Sequence, residues 1–263
     1  MMDGDTYVGK DVERLDAATK VNGRLKYAGD IRLPHMCCGK ILFTPYPRAR
    51  VLKIDTEPAS VIAGVVKIIT ADQIPGSNRY GYYIPHRPVL VGQGEETRYL
   101  GDAIALVVAE TSRIASLAIE SIKVEYEVLK PLTSPREAMV EGAYRIHEEA
   151  EGNVCSKSEL IHGDVQAGFC ESDVIVENKY FTSRQEQAFL ETEAGISYLD
   201  DSGVLHVFSC LQDPYDVLED ISRALGIPLS KIHVKGTPVG GAFGGKLNTT
   251  IQVHLAAMAL FGA

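Results

Sequence analysis

The sequence predicts an α+β fold, and three observations support this. Hydrophobic residues make up 45% of the 263-residue chain and charged residues 23%, which is typical of a globular protein with a buried core. Short β-branched stretches recur between loops rich in glycine and proline. Apolar strands also alternate with amphipathic helices, without any internal repeat. Such a mixture of short strands and helices indicates an α+β chain.

Short strands open the first half. Apolar positions interrupted by two prolines in residues 39–55 predict two strands joined by an irregular turn. Residues 58–64 predict at most a helical turn, whereas residues 65–70 form a strongly β-branched strand. Residues 71–101 are rich in glycine, proline and tyrosine, and predict mainly loop.

The clearest unit lies between residues 103 and 128. An apolar strand at 103–109 is followed by Thr111 or Ser112, either of which can cap a helix N-terminus. The helix that follows has an apolar face, and residues 122–128 alternate as another strand. This order predicts a β-α-β unit.

A surface linker follows. Two prolines and an acidic stretch at residues 148–153 indicate an exposed connection, so we place a domain boundary between 130 and 165. We expect a first domain at 1–135, a linker at 136–160 and a second domain at 161–263.

The second domain is predicted to begin with strands and continue with helices. Asp200 to Gly203 form a strong hairpin turn, and Gly226 is a typical helix-ending residue. The predicted elements are strands at 173–181, 189–199 and 204–209, a helix at 215–225, a strand at 232–235 and an apolar helix from about 249.

Charge and hydropathy disfavour two classes of partner. The net charge of -9 and the absence of a Lys/Arg run argue against nucleic acid. The acidic N-terminus lacks the pattern of a signal peptide, and no apolar run approaches the ~20 residues that span a bilayer. We therefore expect a cytoplasmic protein that does not enter a membrane.

Cysteines and histidines show no metal-binding spacing. The five cysteines form no CxxC pair, and the seven histidines form neither HxxxH nor HExxH. The pattern favours reduced, mostly structural thiols, and gives little support to a metal ligated by the protein.

Residues 240–246, the glycine loop, carry the strongest chemical signal. Four glycines in seven residues lie between a predicted strand and helix, so the backbone can approach a ligand closely and offer its N–H groups. An anionic or pterin-like ligand would suit such a loop. A tight turn without a ligand is the alternative. The spacing also matches the start of a P-loop, but Leu247 lacks the hydroxyl that would bind Mg²⁺.

The glutamine segment, residues 183–192, precedes the glycine loop along the chain. In their order and approximate distance, these two segments resemble the large, molybdopterin-binding subunit of the xanthine dehydrogenase/aldehyde oxidase family. The resemblance runs from about residue 8 to the end of the chain. Its other elements are residues 8–12, 16–17, 20–23, 27–30, 98–102 and 124–127.

The resemblance implies an α/β hammerhead domain followed by the first, truncated part of a molybdopterin-binding α+β domain. It also implies oxidative hydroxylation of an aldehyde or N-heterocycle with oxygen derived from water. The metal would be held by the pterin dithiolene, in a mononucleotide or cytosine dinucleotide form of the cofactor. The implied partners are a 2Fe–2S subunit, an FAD-binding subunit and the remaining part of the large subunit, assembled as a dimer of heterotrimers.

The resemblance assigns roles to residues of both segments. Gln185 would donate a hydrogen bond to a molybdenum oxygen, Phe243 would form a wall of the substrate pocket, and the Gly244 amide would contact the cofactor. The residues expected to bind the cofactor are Gln185, Gly241, Ala242, Phe243, Gly244 and Gly245, and those expected to line the substrate pocket are Phe243 and Leu247.

Two departures from the family pattern affect function. Leu247 stands where many xanthine-oxidising relatives have a glutamate, which predicts an apolar pocket edge. The general-base glutamate of the family lies beyond the matching part, so we expect this chain to lack it and to be inactive alone. A non-catalytic truncated remnant or assembly module is the alternative.

Overall fold

The computed structural model describes residues 8–81 and 84–262. They form two compact units: the main unit, from residues 8–81, 84–129 and 189–262, and the second unit, residues 130–188. Strands and helices are mixed in small sheets, which confirms the α+β prediction. No helix in these described ranges combines the length and the apolar character needed to cross a membrane.

The elements follow in chain order. The helices are α1 (Ala17–Val21), α2 (Glu57–Ser60), α3 (Ser112–Ser121), α4 (Pro135–Ala138), α5 (Val165–Glu171), α6 (Pro214–Leu225) and α7 (Gln252–Gly262). The strands are β1 (Cys38–Phe43), β2 (Ala49–Asp55), β3 (Val65–Ile69), β4 (Arg79–Tyr80), β5 (Arg87–Pro88), β6 (Ala103–Ala109), β7 (Lys123–Val128), β8 (Gly195–Leu199), β9 (Leu205–Ser209) and β10 (Ile232–Gly236).

Strand β6 is the centre of the first sheet. It pairs antiparallel with β1 on one side and β3 on the other, and every one of its residues is buried. An uninterrupted apolar run is what a strand covered on both faces requires. Helix α3 packs beside this sheet through Ala115 and Ala118, and Thr111 caps its N-terminus by accepting a hydrogen bond from the Ile114 amide.

The predicted β-α-β unit is right in its order of elements but wrong in its pairing. Strand β7 pairs antiparallel with β2, in a sheet separate from that of β6. Its charged residues Lys123, Glu125 and Glu127 are exposed, whereas Val124 and Tyr126 are partly buried. A strand with one solvated face suits a two-stranded ribbon better than a sheet centre covered on both sides.

Strands β8, β9 and β10 form the sheet from which the glycine loop extends. Strand β9 pairs antiparallel with β8 and parallel with β10, and α6 and α7 contact this sheet. Asp213 caps α6, and Gly226 ends it in the left-handed conformation with φ 65°. The hairpin and the α6 helix thus confirm the prediction, and the last helix begins at Gln252 rather than near 249.

Two predicted strands are shorter than expected or absent. The predicted strand at 173–181 is wrong, because these residues of the second unit are exposed and lie outside any strand. An alternating sequence becomes a strand only where a neighbouring strand supplies hydrogen bonds. The strand predicted at 189–199 starts at Gly195, where pairing with Ser209 of β9 begins.

Candidate functional site

Three residues with positive φ give the glycine loop its shape. Gly241 and Gly244 have φ of 99° and 85°, and Phe243 between them has φ of 50°. Phenylalanine rarely adopts this left-handed conformation, and such backbone strain is concentrated at functional sites. Phe243 as a whole is 75% exposed, so packing in the core does not explain the strain.

The loop amides divide into two groups. The Gly240 amide donates to Glu191 and the Gly245 amide to the Ala242 carbonyl, at 2.7 and 2.8 Å. Within the described ranges, the amides of residues 241 to 244 have no acceptor from the protein. A Cβ added at Gly244 would meet no atom within 4 Å, so space remains open beside this residue. Consecutive unpaired N–H groups beside open space can hold an anionic group.

The Lys246 side chain is directed into the protein and not toward the exposed residues of the loop. Its side chain is completely shielded from solvent, and Nζ lies 2.7 Å from the Glu191 carbonyl oxygen and 3.1 Å from Glu191 Oε2. The same ammonium lies 4.6 Å from the centre of the Phe189 ring, a cation–π distance. A P-loop lysine must reach the phosphates of a nucleotide, and this lysine is held elsewhere. The P-loop alternative does not fit this geometry.

Glu191 joins the start of the loop to the end of the glutamine segment. Its Oε2 accepts the Gly240 amide, and its own amide donates to the Gly240 carbonyl at 3.1 Å. A Cβ at Gly240 would lie 2.6 Å from the Glu191 Cβ, so only glycine allows this approach. Neither the anchoring contacts of Glu191 nor the burial of Lys246 was predicted from the sequence, although both residues lie in the segments that carry the resemblance.

Further contacts support the loop on both sides of Lys246. The Lys246 carbonyl accepts the Gln212 amide at 3.0 Å, and Thr249 donates to the buried carboxylate of Asp220 at 2.6 Å. Burial raises the pKa of the Glu193 carboxyl, while a hydrogen bond with Thr250 and the charge of Lys246 oppose that rise. The rear of the loop is therefore polar and largely buried. Oε1 of Glu191 is also buried, and it has no hydrogen-bond partner among the described residues.

The predicted site residues fall into two places. Five of them, at 241–245, share the loop, and Leu247 follows it with 41% of its surface exposed. Gln185 belongs to the second unit, where its side chain is exposed and its Nε2 donates to Ser183 Oγ at 2.8 Å. In residues 8–81 and 84–262, no group of three or more His, Cys, Asp or Glu residues is placed to hold a metal ion.

Two models of known protein families match the chain. The a/b hammerhead domain model of aldehyde oxidase and xanthine dehydrogenase matches residues 22–130. The molybdopterin cofactor-binding domain model matches residues 146–261, which include both the glutamine segment and the glycine loop. The chain belongs to the xanthine dehydrogenase/aldehyde oxidase family. It corresponds to the N-terminal portion of the large, molybdopterin-binding subunit.

Individual relatives support the same conclusion. The chain is 39% identical to a probable xanthine dehydrogenase subunit of Bacillus subtilis, over 94% of this chain and 33% of that protein. It is 35% identical to the nicotinate dehydrogenase large molybdopterin subunit of Eubacterium barkeri, over 95% of this chain and 58% of that protein. The chain therefore spans one third to somewhat over half of these two relatives.

Solved structures of the family have the same fold. The aldehyde oxidoreductase of Desulfovibrio desulfuricans aligns with 97% of this chain and 30% of its own, with a TM-score of 0.86 and 26% identity. That of Desulfovibrio gigas covers 94% of this chain and 28% of its own, with a TM-score of 0.83 and 28% identity. Both solved structures therefore share the α+β fold of this chain.

Proposed function

We propose that this chain supplies one wall of the cofactor site in a molybdenum hydroxylase that acts on an aldehyde or an N-heterocycle. The observation that carries the proposal is the run of unpaired amides at residues 241 to 244 beside the open space at Gly244. The family model for molybdopterin binding covers this loop. When bound, the cofactor would supply the redox centre that takes two electrons from the substrate while oxygen from water is inserted.

The chain's own residues would bind the cofactor and position the substrate. The amides of residues 241 to 244 would donate hydrogen bonds to the cofactor, since they have no acceptor in the described protein. The exposed ring of Phe243 and the half-exposed side chain of Leu247 would contact substrate. Gln185 would donate from its amide to an oxygen at the metal, and a positioned donor of this kind stabilises charge that develops in the transition state.

The cofactor form and the assembly are also part of the proposal. We infer a mononucleotide or cytosine dinucleotide form of molybdopterin, a 2Fe–2S subunit and an FAD-binding subunit that carry electrons away, and the rest of the large subunit. The names of the relatives support this, because several are subunits of larger enzymes. We place the hammerhead domain at 1–135, the linker at 136–160 and the start of the cofactor domain at 161–263.

Turnover of the Gln185→Ala variant in the assembled enzyme tests the catalytic proposal. Loss of one positioned donor typically lowers kcat by about 10²- to 10³-fold. Because Gln185 is exposed and bonded only to Ser183 in the described chain, the melting temperature should hardly change. Gln187→Ala, also exposed and two residues away, is the matched control and should retain normal kcat. An unchanged kcat in Gln185→Ala would remove this residue from the site.

We expect hydroxylase activity to require the rest of the large subunit as well as this chain. The proposed site is one-sided, because Phe243 is 75% exposed and Gly244 faces open space, whereas tight small-molecule sites enclose most of their ligand. We expect the 263-residue chain alone to hold molybdopterin weakly and to show no hydroxylase activity. Metal analysis with an aldehyde oxidation assay measures both. Stoichiometric molybdenum with turnover would contradict the expectation, and an assembled enzyme without molybdenum would favour a non-catalytic remnant.

A further inference from the structure

A row of aromatic side chains crosses the exposed face of the β8–β9–β10 sheet, and it includes two histidines in contact. Strand register places Tyr198 opposite His206, and His206 opposite His233. The flanking residues Leu205 and Val207 point into the core, so His206 points away from it. The Nδ1 atoms of His206 and His233 lie 3.1 Å apart.

Asp200 fixes the tautomer of His206. Its Oδ1 accepts the amides of Ser202 and Val204 in the hairpin turn, both at 2.9 Å, and its Oδ2 lies 2.9 Å from His206 Nε2. An ionised carboxylate only accepts hydrogen bonds, so Nε2 of His206 must carry the proton. In the neutral ring, Nδ1 then presents its lone pair toward His233.

Neighbouring rings fix the orientation of this pair. Tyr198 stacks on His206 with a centroid distance of 4.8 Å and an interplanar angle of 6°. Phe208 contacts both histidine rings by its edge, with centroid distances of 6.1 Å and 5.9 Å. His233 is exposed and 17% of the His206 side chain is accessible, so solvent ions can reach the pair.

We propose that His206 and His233 bind one divalent transition-metal ion that prefers imidazole, such as Zn²⁺, through their two Nδ1 atoms. Two Zn–N bonds of about 2.0–2.1 Å at a tetrahedral angle bring the nitrogens about 3.3 Å apart, which is close to the observed 3.1 Å. The ion would take the position between the rings. The Nδ1 proton of His233 would go to solvent while its exposed Nε2 gains one, so both rings stay neutral.

Asp200 would act on the metal through His206. Hydrogen bonding of the second ring nitrogen to a carboxylate is the usual arrangement around metal-bound histidines, because it fixes the tautomer and makes the ligand more basic. Water would complete the coordination, since the described residues offer no group of three protein ligands. Two histidines and water make a weaker site than a structural zinc centre. This site is separate from the glycine loop and does not depend on the proposed function.

Calorimetry of the full 263-residue chain with ZnCl₂ alone tests the proposal, with nitrogen-15 NMR of the histidine rings to identify the ligating atoms. The double variant His206→Ala/His233→Ala should lose one binding event, and each single variant should bind at least about tenfold more weakly. Asp200→Asn keeps an acceptor for Nε2 but removes the charge, so affinity should fall by about 10- to 100-fold. His162→Ala, which removes an exposed histidine elsewhere, is the matched control.

Two results would overturn the proposal. One is an identical isotherm for the wild-type chain and the double variant, which would assign any Zn²⁺ uptake to cysteines or the N-terminus. The other is a titration in which Zn²⁺ leaves the Nδ1 resonances of both histidines unmoved. Circular dichroism without metal establishes that each variant is folded, and His206→Gln with His233→Gln replaces the alanine variants if they are not.

Discussion

The ammonium group of Lys246 lies 3.1 Å from Oε2 of Glu191 and is completely shielded from solvent. The same carboxylate oxygen accepts the Gly240 amide, so one side chain fixes both ends of the glycine loop. A lysine at the end of a glycine-rich loop ordinarily turns its ammonium group toward a bound anion. Because this charge is paired with Glu191 inside the protein, the amides between the two anchors, and not the ammonium, are the groups that we propose to contact a ligand.

Replacing Lys246 by methionine should strongly destabilise the main unit. Removing one partner of a buried ion pair leaves the other charge uncompensated, which costs about 3–5 kcal/mol. The free energy of unfolding from urea titration measures this. Lys20→Met breaks a surface pair with Asp16 in the same unit and should leave the free energy of unfolding nearly unchanged.

A second substitution separates the ion pair from packing. Glu191→Gln still accepts the Gly240 amide but carries no charge, so the double variant Lys246→Met/Glu191→Gln should recover part of the stability lost in Lys246→Met. If the double variant loses as much unfolding free energy as the two single variants together, the charges are not coupled. In that case Lys246 and Glu191 stabilise the loop by packing.

Gly244→Val should block molybdenum incorporation while the protein still folds. The residue has φ of 85°, so a side chain costs roughly 1–2 kcal/mol or more, yet an added Cβ meets no protein atom within 4 Å. Gly94→Val is the matched control, because Gly94 has φ of 87° and equally open surroundings. Melting temperatures should fall alike in both assembled variants, whereas only Gly244→Val should lack molybdenum. Full metal occupancy in Gly244→Val would place the cofactor elsewhere.

Local features of the fold could be predicted from the sequence, and long-range pairings could not. The Asp200 to Gly203 turn and the Gly226 helix end depend on a few adjacent residues. The inward direction of Lys246 depends on Glu191, which is 55 residues away along the chain. The partner of β7 is likewise the distant strand β2, and residues 173–181 have the alternation of a strand but no partner strand in the part of the chain that the structure describes. The glycine loop combines both kinds of feature. The spacing of its glycines can be seen in the local sequence, whereas Glu191, which anchors the loop, is distant along the chain.

Leu247→Glu should shift specificity toward purines in the assembled enzyme. Leu247, which we propose to line the substrate pocket, is 41% exposed at the end of the loop, so an apolar pocket edge there should favour aldehydes and simple N-heterocycles over xanthine. Hydrogen-bonding groups discriminate far more strongly than apolar contacts, which supply about 1–3 kcal/mol. We expect kcat/KM for xanthine, relative to an aromatic aldehyde, to rise at least about tenfold. Leu229→Glu, at another exposed leucine, is the control, and efficient xanthine turnover by the wild-type enzyme would contradict the inference.

The stability of the main unit should depend on pH through His254. This side chain is buried in α7, where Nε2 donates to the Val89 carbonyl at 2.9 Å and the Tyr80 ring lies edge-on at 6.1 Å. Burial lowers the pKa of His254, and the hydrogen bond to Val89 opposes the shift. Below the unfolded-state pKa of about 6.5, the unfolded chain takes up a proton that the folded chain does not. Stability is therefore lost as pH falls, by up to about 1.4 kcal/mol per pH unit.

Urea titrations at pH 7.5, 6.5 and 5.5 can isolate this contribution. His254→Gln retains a donor for the Val89 carbonyl but has no titrating ring, so it should lack the part of the slope that His254 causes. The buried carboxyl of Asp102, whose pKa is raised by burial, titrates in both proteins and cancels in the comparison. The wild-type chain should thus lose more stability than the variant between pH 6.5 and 5.5. Parallel profiles for the two proteins would show that His254 accepts its proton in the folded state as readily as in the unfolded chain.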